Sequence, residues 1–189
     1  MAADAGAGAG ARPPLKVWDP LVRIFHWSLV ASVVSAWLTG DGDRDWHLAL
    51  GYAVLGLIAL RVVWGAAGSH YARFSQFMRG PTAVAGYARS ALRGRAPRHL
   101  GHNPLGGWMI ATLLLVLLGT GVTGWLLTID AFFGDDGMQA LHQGLAIALP
   151  VLVAVHVSGV LFTGRRHREN LVRAMLSGVK RAPQGDDVA

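Results

Sequence analysis

The stretch GMQALHQGLAIALPVLVAVHVSGVLFTG, residues 137–164, contains no aspartate, glutamate, lysine or arginine and is apolar except for a few small polar side chains and two histidines. A helix needs roughly 20 mainly apolar residues to cross a hydrocarbon core of about 30 Å, and this stretch exceeds that length. Pro150 interrupts it and predicts a kink, which a membrane helix tolerates when its neighbours satisfy the freed carbonyl. His142 and His156 stand inside it, where an ionisable side chain is expensive and marks a site or a pathway.

Three further segments share the pattern: residues 24–40, 46–60 and 105–129. The second continues past Arg61 through Val62, Val63 and Trp64, which brings it to spanning length. The composition agrees. In 189 residues, 52% are hydrophobic and 15% charged, and the mean hydropathy is +0.39, too apolar for an ordinary soluble domain. The expected fold is all-α, an integral membrane bundle of four transmembrane helices. Asp19-Pro20 reads as an N-cap followed by proline at the first helical position. The sequences around Gly40 to Asp43 and Gly134 to Gly137 read as tight turns, so helices one and two, and three and four, form antiparallel hairpins.

The formal charge of +6 is unevenly placed. Arg12, Lys16 and Arg23 precede or open the first span; Arg73, Arg79, Arg89, Arg93, Arg95 and Arg98 fill the long middle segment; Arg165, Arg166, Arg168, Arg173, Lys180 and Arg181 follow the fourth. The two short turns carry Arg44 against Asp41, Asp43, Asp45, Asp130, Asp135 and Asp136. By the positive-inside rule both termini and the middle loop are cytoplasmic, and the charge is a topology signal that requires no nucleic acid. Residues 1–17 lack the basic start and apolar core of a signal peptide and read as a flexible cytoplasmic tail. Residues 18–181 form the membrane domain, and 182–189 a second flexible tail. Within the middle loop, Tyr71 to Met78 and Pro81 to Arg95 space aromatic and arginine side chains as an amphipathic helix at the inner headgroup boundary, with partner docking as the competing use.

The chain has no cysteine and eight histidines, so metal chemistry rests on histidine or oxygen ligands. Covalent c-type haem attachment, thiolate iron–sulfur sites and zinc knuckles are excluded. His26, His47, His142 and His156 lie inside or at the mouth of the spans, whereas His70, His99, His102 and His167 fall in loops and read as solvated or headgroup-contacting. At 1.5 Å per residue, His26 lies roughly 10 Å above the cytoplasmic end of the first helix and His156 roughly 12 Å above the same end of the fourth. These two are level. His47 and His142 are level at the outer side. The fourteen-residue offset from His142 to His156 falls within roughly 40° of whole turns and separates them by about 21 Å, so both leave the fourth helix on nearly one face. The same offset joins His47 to Arg61, aiming Arg61 at the inner pair, to meet an anionic group there or to snorkel to the interface.

A tetrahedral zinc site wants four protein ligands or three and a water, and neither pair has a cysteine or intramembrane carboxylate to add. A haem supplies four equatorial nitrogens and needs two axial ligands, which two imidazoles from facing helices provide. Without cysteine it is non-covalent, hence b-type. Ala49, Gly51, Ala53, Gly56, Gly144, Ala146, Ala148 and Gly159 leave room for a flat macrocycle or permit close helix packing. Two protein axial ligands leave iron no open position, which favours electron transfer over oxygen chemistry.

Val17-Trp-Asp-Pro-Leu-Val-Arg-Ile-Phe-His26-Trp27, His47-Leu-Ala-Leu-Gly-Tyr52, Arg61-Val-Val-Trp-Gly65, Tyr71-Ala-Arg-Phe74, Gly101-His-Asn-Pro104, His142, His156, Arg168-Glu-Asn-Leu171 and Lys180-Arg181 resemble the bacterial cytochrome b561 family, which includes the b-type cytochrome subunit of nickel-iron hydrogenases. The resemblance implies a multi-pass protein of the bacterial inner membrane with two haem b groups. They would be ligated by His47 with His142 and by His26 with His156, and would exchange electrons with membrane quinone such as ubiquinone. Relatives work with hydrogenase, with c-type cytochromes or with superoxide. Any enzymatic activity would then be that of a quinone oxidoreductase in a respiratory chain. Arg23, Arg61 and His167 are candidates for propionate or quinone contacts. A non-redox membrane anchor and a divalent-metal transporter are the alternatives from other classes.

Overall fold

The computed structural model describes residues 13–185, 187 and 188. Four long helices dominate it: α1 (Pro20–Leu38), α2 (Arg44–Ala67), and, after two shorter helices α3 (Phe74–Phe77) and α4 (Pro81–Leu92), α5 (Pro104–Leu126) and α6 (Asp136–Arg166). A last short helix, α7 (Leu171–Ser177), follows. The four long ones are each long and apolar enough to cross a membrane, as the sequence predicts.

Their starts are set by side-chain caps on otherwise unpaired N–H groups. The Asp19 carboxylate accepts from Val22 N–H at 2.9 Å, with Pro20 in the first turn. Asp43 accepts from the N–H groups of Asp45 and Trp46. Asn103, followed by Pro104, accepts from Gly106 N–H at 2.8 Å, and Asp135 from Met138 N–H at 2.7 Å. Pro150 lies within α6, which runs on as one helix to Arg166.

Helix α1 packs on α2, α2 on α5 and α5 on α6, whereas α6 makes no comparable packing against α1 or α2. The bundle is therefore open along the two faces that carry the span histidines. Between them Val54 and Ile58 of α2, Leu117 of α5 and Leu149 of α6 make a buried apolar layer, with Leu29 and Val33 of α1 packed against it.

The end of the bundle bearing both chain termini is closed differently. Leu15–Lys16 (β1) pairs antiparallel with Val179–Lys180 (β2), and Val17, Trp18, Val22, Ala72 and Ala174 bury one another beneath them. The two ends of the chain thus lie on one face. Of the expected N-terminal tail, residues 1–12 lie outside the described residues. In the C-terminal segment Val188 pairs with His99, its N–H donating to Arg98 O and its carbonyl accepting from Leu100 N–H, both at 2.9 Å. Arg98, 5% exposed, makes a bidentate pair with Glu169, bonds Asp187 and donates to Arg181 O. This planar fork ties the segment before α5 to the start of α7 and to the C-terminal residues.

The middle segment forms a helix where the charge and aromatic pattern predicts one, at Pro81–Leu92, and none of its residues is buried. Phe77, 2% exposed, anchors the segment to the base of α5. Phe74 lies against Gly65 of α2, where a Cβ would stand 2.1 Å from its ring, so only glycine permits this approach.

Asp19 joins these layers. Besides capping α1 it accepts from Trp64 Nε1 at 3.1 Å and from the Ser69 hydroxyl, linking α1 to the end of α2. Burial pushes its carboxyl up, but the bonds from Ser69, Val22 and Trp64 outweigh this and hold it below the usual aspartate range. A carboxyl with a lowered folded-state value contributes stability above the unfolded value, about 4, and loses it as pH falls through the folded value. Asp19→Ala is expected to destabilise the purified protein by about 1 kcal/mol or more through the lost cap. Asp19→Asn should show a smaller loss of thermal stability between pH 6 and pH 3 than wild type; equal losses would contradict this role.

Candidate functional site

His47 lies in the first turn of α2 and His142 in the second turn of α6, so the two hairpins bring them together from opposite sides. Their rings stand 6.2 Å apart between centroids, with planes at 83°. The His47 Nδ1 lies 2.9 Å from Ala36 O, and the His142 Nδ1 3.0 Å from Thr120 O. A carbonyl only accepts, so both Nδ1 atoms carry the proton and both Nε2 atoms keep a free lone pair. The buried Thr123 hydroxyl, which donates to Gly119 O at 2.8 Å, lies 3.1 Å from the same His142 Nδ1 and can share its proton. A carbonyl behind the protonated nitrogen is the arrangement that orients metal-ligating imidazoles and raises their basicity.

The rings border a cavity of about 650 Å³ whose lining includes Trp37, Gly51, Leu117 and Gly121. That volume lies within the range of cofactor sites. Two metal–imidazole bonds of about 2 Å each, with the ring radii added, put centroids about 6 Å apart, as found here. Among the described residues no three His, Cys, Asp or Glu side chains converge on one point. The site thus offers two axial nitrogens beside a large apolar space, a donor set that fits a metal brought in a macrocycle and not a bare zinc ion.

Glycine shapes this site at one point. A Cβ on Gly124 would stand 2.9 Å from His142 Cε1, so a larger residue would push the imidazole off its carbonyl. Gly51 and Gly144, by contrast, have nothing within 4 Å of a built Cβ.

At the other end of the bundle His26 of α1 and His156 of α6 are both half-buried and lie within electrostatic range of each other. His26 stands edge-on to Trp27 at 5.0 Å, and its buried Nδ1 has no hydrogen-bond partner. Fourteen residues of α6 separate His156 from His142, about 21 Å at 1.5 Å per residue, with the Val54, Ile58, Leu117 and Leu149 layer between the two levels.

Arg61 does not reach the interface. It is 4% exposed, donates from Nη2 to Ala72 O at 3.0 Å and lies 4.7 Å above the Phe74 ring, while its buried Nη1 has no partner. Arg23 turns instead to α7, donating to Ser177 O at 3.2 Å. His167 caps the end of α6 near Arg98, Glu169 and Asp187. Neither is brought to the histidine pairs by a contact.

Sequence reasoning misplaced His102. It is half-buried and not free in solvent: its ring packs between Trp18 at 4.5 Å and Phe77 at 4.9 Å, and its Nδ1 is buried without a partner. Burial, with the nearby charges of Lys180 and Arg61, pushes this imidazole down to about 3, so it stays neutral. The available signal was the cap itself, since a residue beside the Asn103-Pro104 helix start must lie against the bundle end. His70 is exposed as expected, and His99 lies edge-on to Tyr87.

The sequence profile of the family described as prokaryotic cytochrome b561 matches residues 17–178. A probable Ni/Fe-hydrogenase B-type cytochrome subunit of Bradyrhizobium diazoefficiens is 26% identical over an alignment covering 94% of this chain and 91% of that protein. A protein of the same description from Rhizobium leguminosarum bv. viciae is 25% identical, with 94% of each chain covered. No solved structure matches the chain significantly.

The glycine geometry generates a paired expectation. Gly124→Ala should lower the stability of the detergent-solubilised protein by about 1–3 kcal/mol through overpacking against His142. Gly144→Ala, with open space at its Cβ, should be neutral or stabilising by up to about 1 kcal/mol of helix propensity. Thermal unfolding of the two variants checks this, and equal effects would contradict the fit around His142.

Proposed function

Because the chain belongs to the prokaryotic cytochrome b561 family, membrane-embedded b-type cytochromes of electron transport, we propose that it holds two haem b groups and carries single electrons across the bilayer between an outer protein donor and quinone. The observation that carries this reading is the outer pair, His47 and His142, each fixed by a carbonyl behind Nδ1 and facing the other across 6.2 Å beside an apolar cavity.

In this reading His47 and His142, with Nε2 free, would hold the outer haem, and His26 and His156 would hold the inner one. A b-type haem, when bound there, would supply a one-electron ferric/ferrous couple. The protein's part is to hold the imidazoles rigid and exclude water. Ala36 O and Thr120 O lock the outer rings in one tautomer and orientation. The apolar layer of Val54, Ile58, Leu117 and Leu149 keeps the space between the two levels dry and of low dielectric.

The concentration of arginine and lysine on the face that bears both termini supports placing that face in the cytoplasm and the Asp-rich turns outside. The described relatives' name supports a hydrogenase-type protein as the donor. Attraction of a basic c-type cytochrome to the acidic turns has less support, since the Asp43 and Asp135 carboxylates are engaged as helix caps. Arg61, a buried cation with a free Nη1, is assigned to the inner haem.

A reduced-minus-oxidised absorbance spectrum with haem quantified per chain tests the reading. Two low-spin b-type haems per chain are expected, one lost in His47→Ala and in His142→Ala, the other in His26→Ala and in His156→Ala. Haem-free protein after haem-replete expression would return the chain to a non-redox anchor. A pairing of His26 with His47 would overturn the two-level arrangement.

A further inference from the structure

Two buried side chains at the cytoplasmic end carry charge with no carboxylate in direct contact: Asp19 acts on Arg61, and Glu169 and Asp187 on Lys180, only from beyond ion-pair distance. Arg61 and Lys180 are 4% and 5% exposed, and among the described residues the ion pairs within 4 Å are those of Arg98 alone. Burying an ammonium or guanidinium without a counter-ion is strongly unfavourable. Each has one protein acceptor: Arg61 donates to Ala72 O at 3.0 Å and Lys180 Nζ to Gly101 O at 3.3 Å. That leaves Arg61 Nη1 buried and unpartnered, and an ammonium with three donors holding a single bond. Burial pushes Lys180 down to about 8, so it remains mainly charged near neutral pH.

These two cations border one aromatic surface. Lys180 lies 5.3 Å from the Trp18 ring, Trp18 stacks at 4.5 Å on His102, His102 at 4.9 Å on Phe77, Phe77 at 5.8 Å on Phe74, and Arg61 lies 4.7 Å over Phe74. His102 sits midway, its buried Nδ1 lacking a partner. Arg61 stands fourteen residues after His47 on α2, as His156 stands fourteen after His142 on α6, which puts Arg61 at the level of the inner pair. Two cations flanking an unsatisfied imidazole nitrogen form a site for an anion with two separated charged groups.

We propose that Arg61, His102 and Lys180 form the anion-binding end of the inner site and hold the two propionate carboxylates of the haem that His26 and His156 ligate. The assignment rests on the two-haem reading above. It adds His102 and Lys180 to Arg61, in place of Arg23 and His167, whose groups are directed elsewhere.

The test uses full-length protein in detergent, loaded with haem labelled with carbon-13 at the propionate carboxylates, read by redox-induced infrared difference spectra and by potentiometric titration. Lys180→Met is expected to keep both haems, to shift the propionate bands of one, and to lower that haem's midpoint potential. Loss of a nearby cation favours the ferric form about tenfold, or about 59 mV for a one-electron couple. Lys180→Arg keeps the charge and should retain wild-type bands and potential. If Lys180→Met does not accumulate, His102→Leu carries the same expectation for the bands. His26→Ala separates the two levels of the reading: if it removes one haem while Lys180→Met and His102→Leu leave that haem's bands unchanged, the propionate assignment alone is overturned. If His26→Ala leaves both haems in place, the two-haem ligation itself has failed.

Discussion

The hydrogen bonds from His47 Nδ1 to Ala36 O and from His142 Nδ1 to Thr120 O are the interactions on which the outer site depends. Helix carbonyls inside a bilayer are already engaged in their own ladder, and an imidazole in that environment must find an acceptor or remain unsatisfied. Thr120 O offers His142 its free lone pair from within α5, and Ala36 O, a last-turn carbonyl of α1 that also accepts from the Thr39 hydroxyl, serves His47, so each ring is held in one tautomer with Nε2 free. The bond also fixes which neighbour each helix needs: α2 must lie beside the end of α1, which supplies Ala36, and α6 beside α5, which supplies Thr120. The two tight hairpins meet that requirement, and Gly124 keeps α5 close enough to His142.

The same hairpins explain why space is left between them. Helices α1 with α2 and α5 with α6 are tied by short turns, α2 and α5 close the bundle on one side, and α6 stands off from α1 and α2. Membrane helices associate through close packing and polar contacts without a hydrophobic driving force between them, and where α6 stands off, Gly51, Gly121, Gly124 and Ala146 widen a cavity otherwise lined by large apolar side chains. The layer around Ile58 is where the bundle closes on itself, and it bounds the cavity beside His47 and His142.

Much of this was legible in the sequence. Spans, turns and caps follow from local chemistry: Asp19-Pro20, Asn103-Pro104 and Asp135 start their helices as read or as capping rules allow. The level pairing of His47 with His142 follows from their places near the starts of two helices that begin at the same side of the bundle, and that of His26 with His156 from rise per residue. The end of the bundle closed by the β1–β2 pair resisted reading because its contacts join residues far apart in the chain. Asp19 meets Ser69, Arg98 meets Glu169, and Arg23 meets Ser177. The resemblance made Arg23 a candidate for propionate or quinone contact, but a sequence motif carries no information about which of several surrounding acceptors a long, flexible cation will choose. His102 was hidden for the same reason: its partners Trp18 and Phe77 come from two other segments of the chain.

The central claim is that iron at the outer level is held between two imidazoles fixed by Ala36 and Thr120. Electron paramagnetic resonance of the oxidised protein tests it most directly, since the imidazole planes of His47 and His142 lie 83° apart, and ferric iron held between near-perpendicular imidazoles would have nearly degenerate d orbitals. The account predicts a low-spin ferric signal of large g anisotropy that disappears in His142→Ala while a second low-spin signal persists. A high-spin five-coordinate signal in the wild type, or a low-spin spectrum unchanged by His142→Ala, would contradict it.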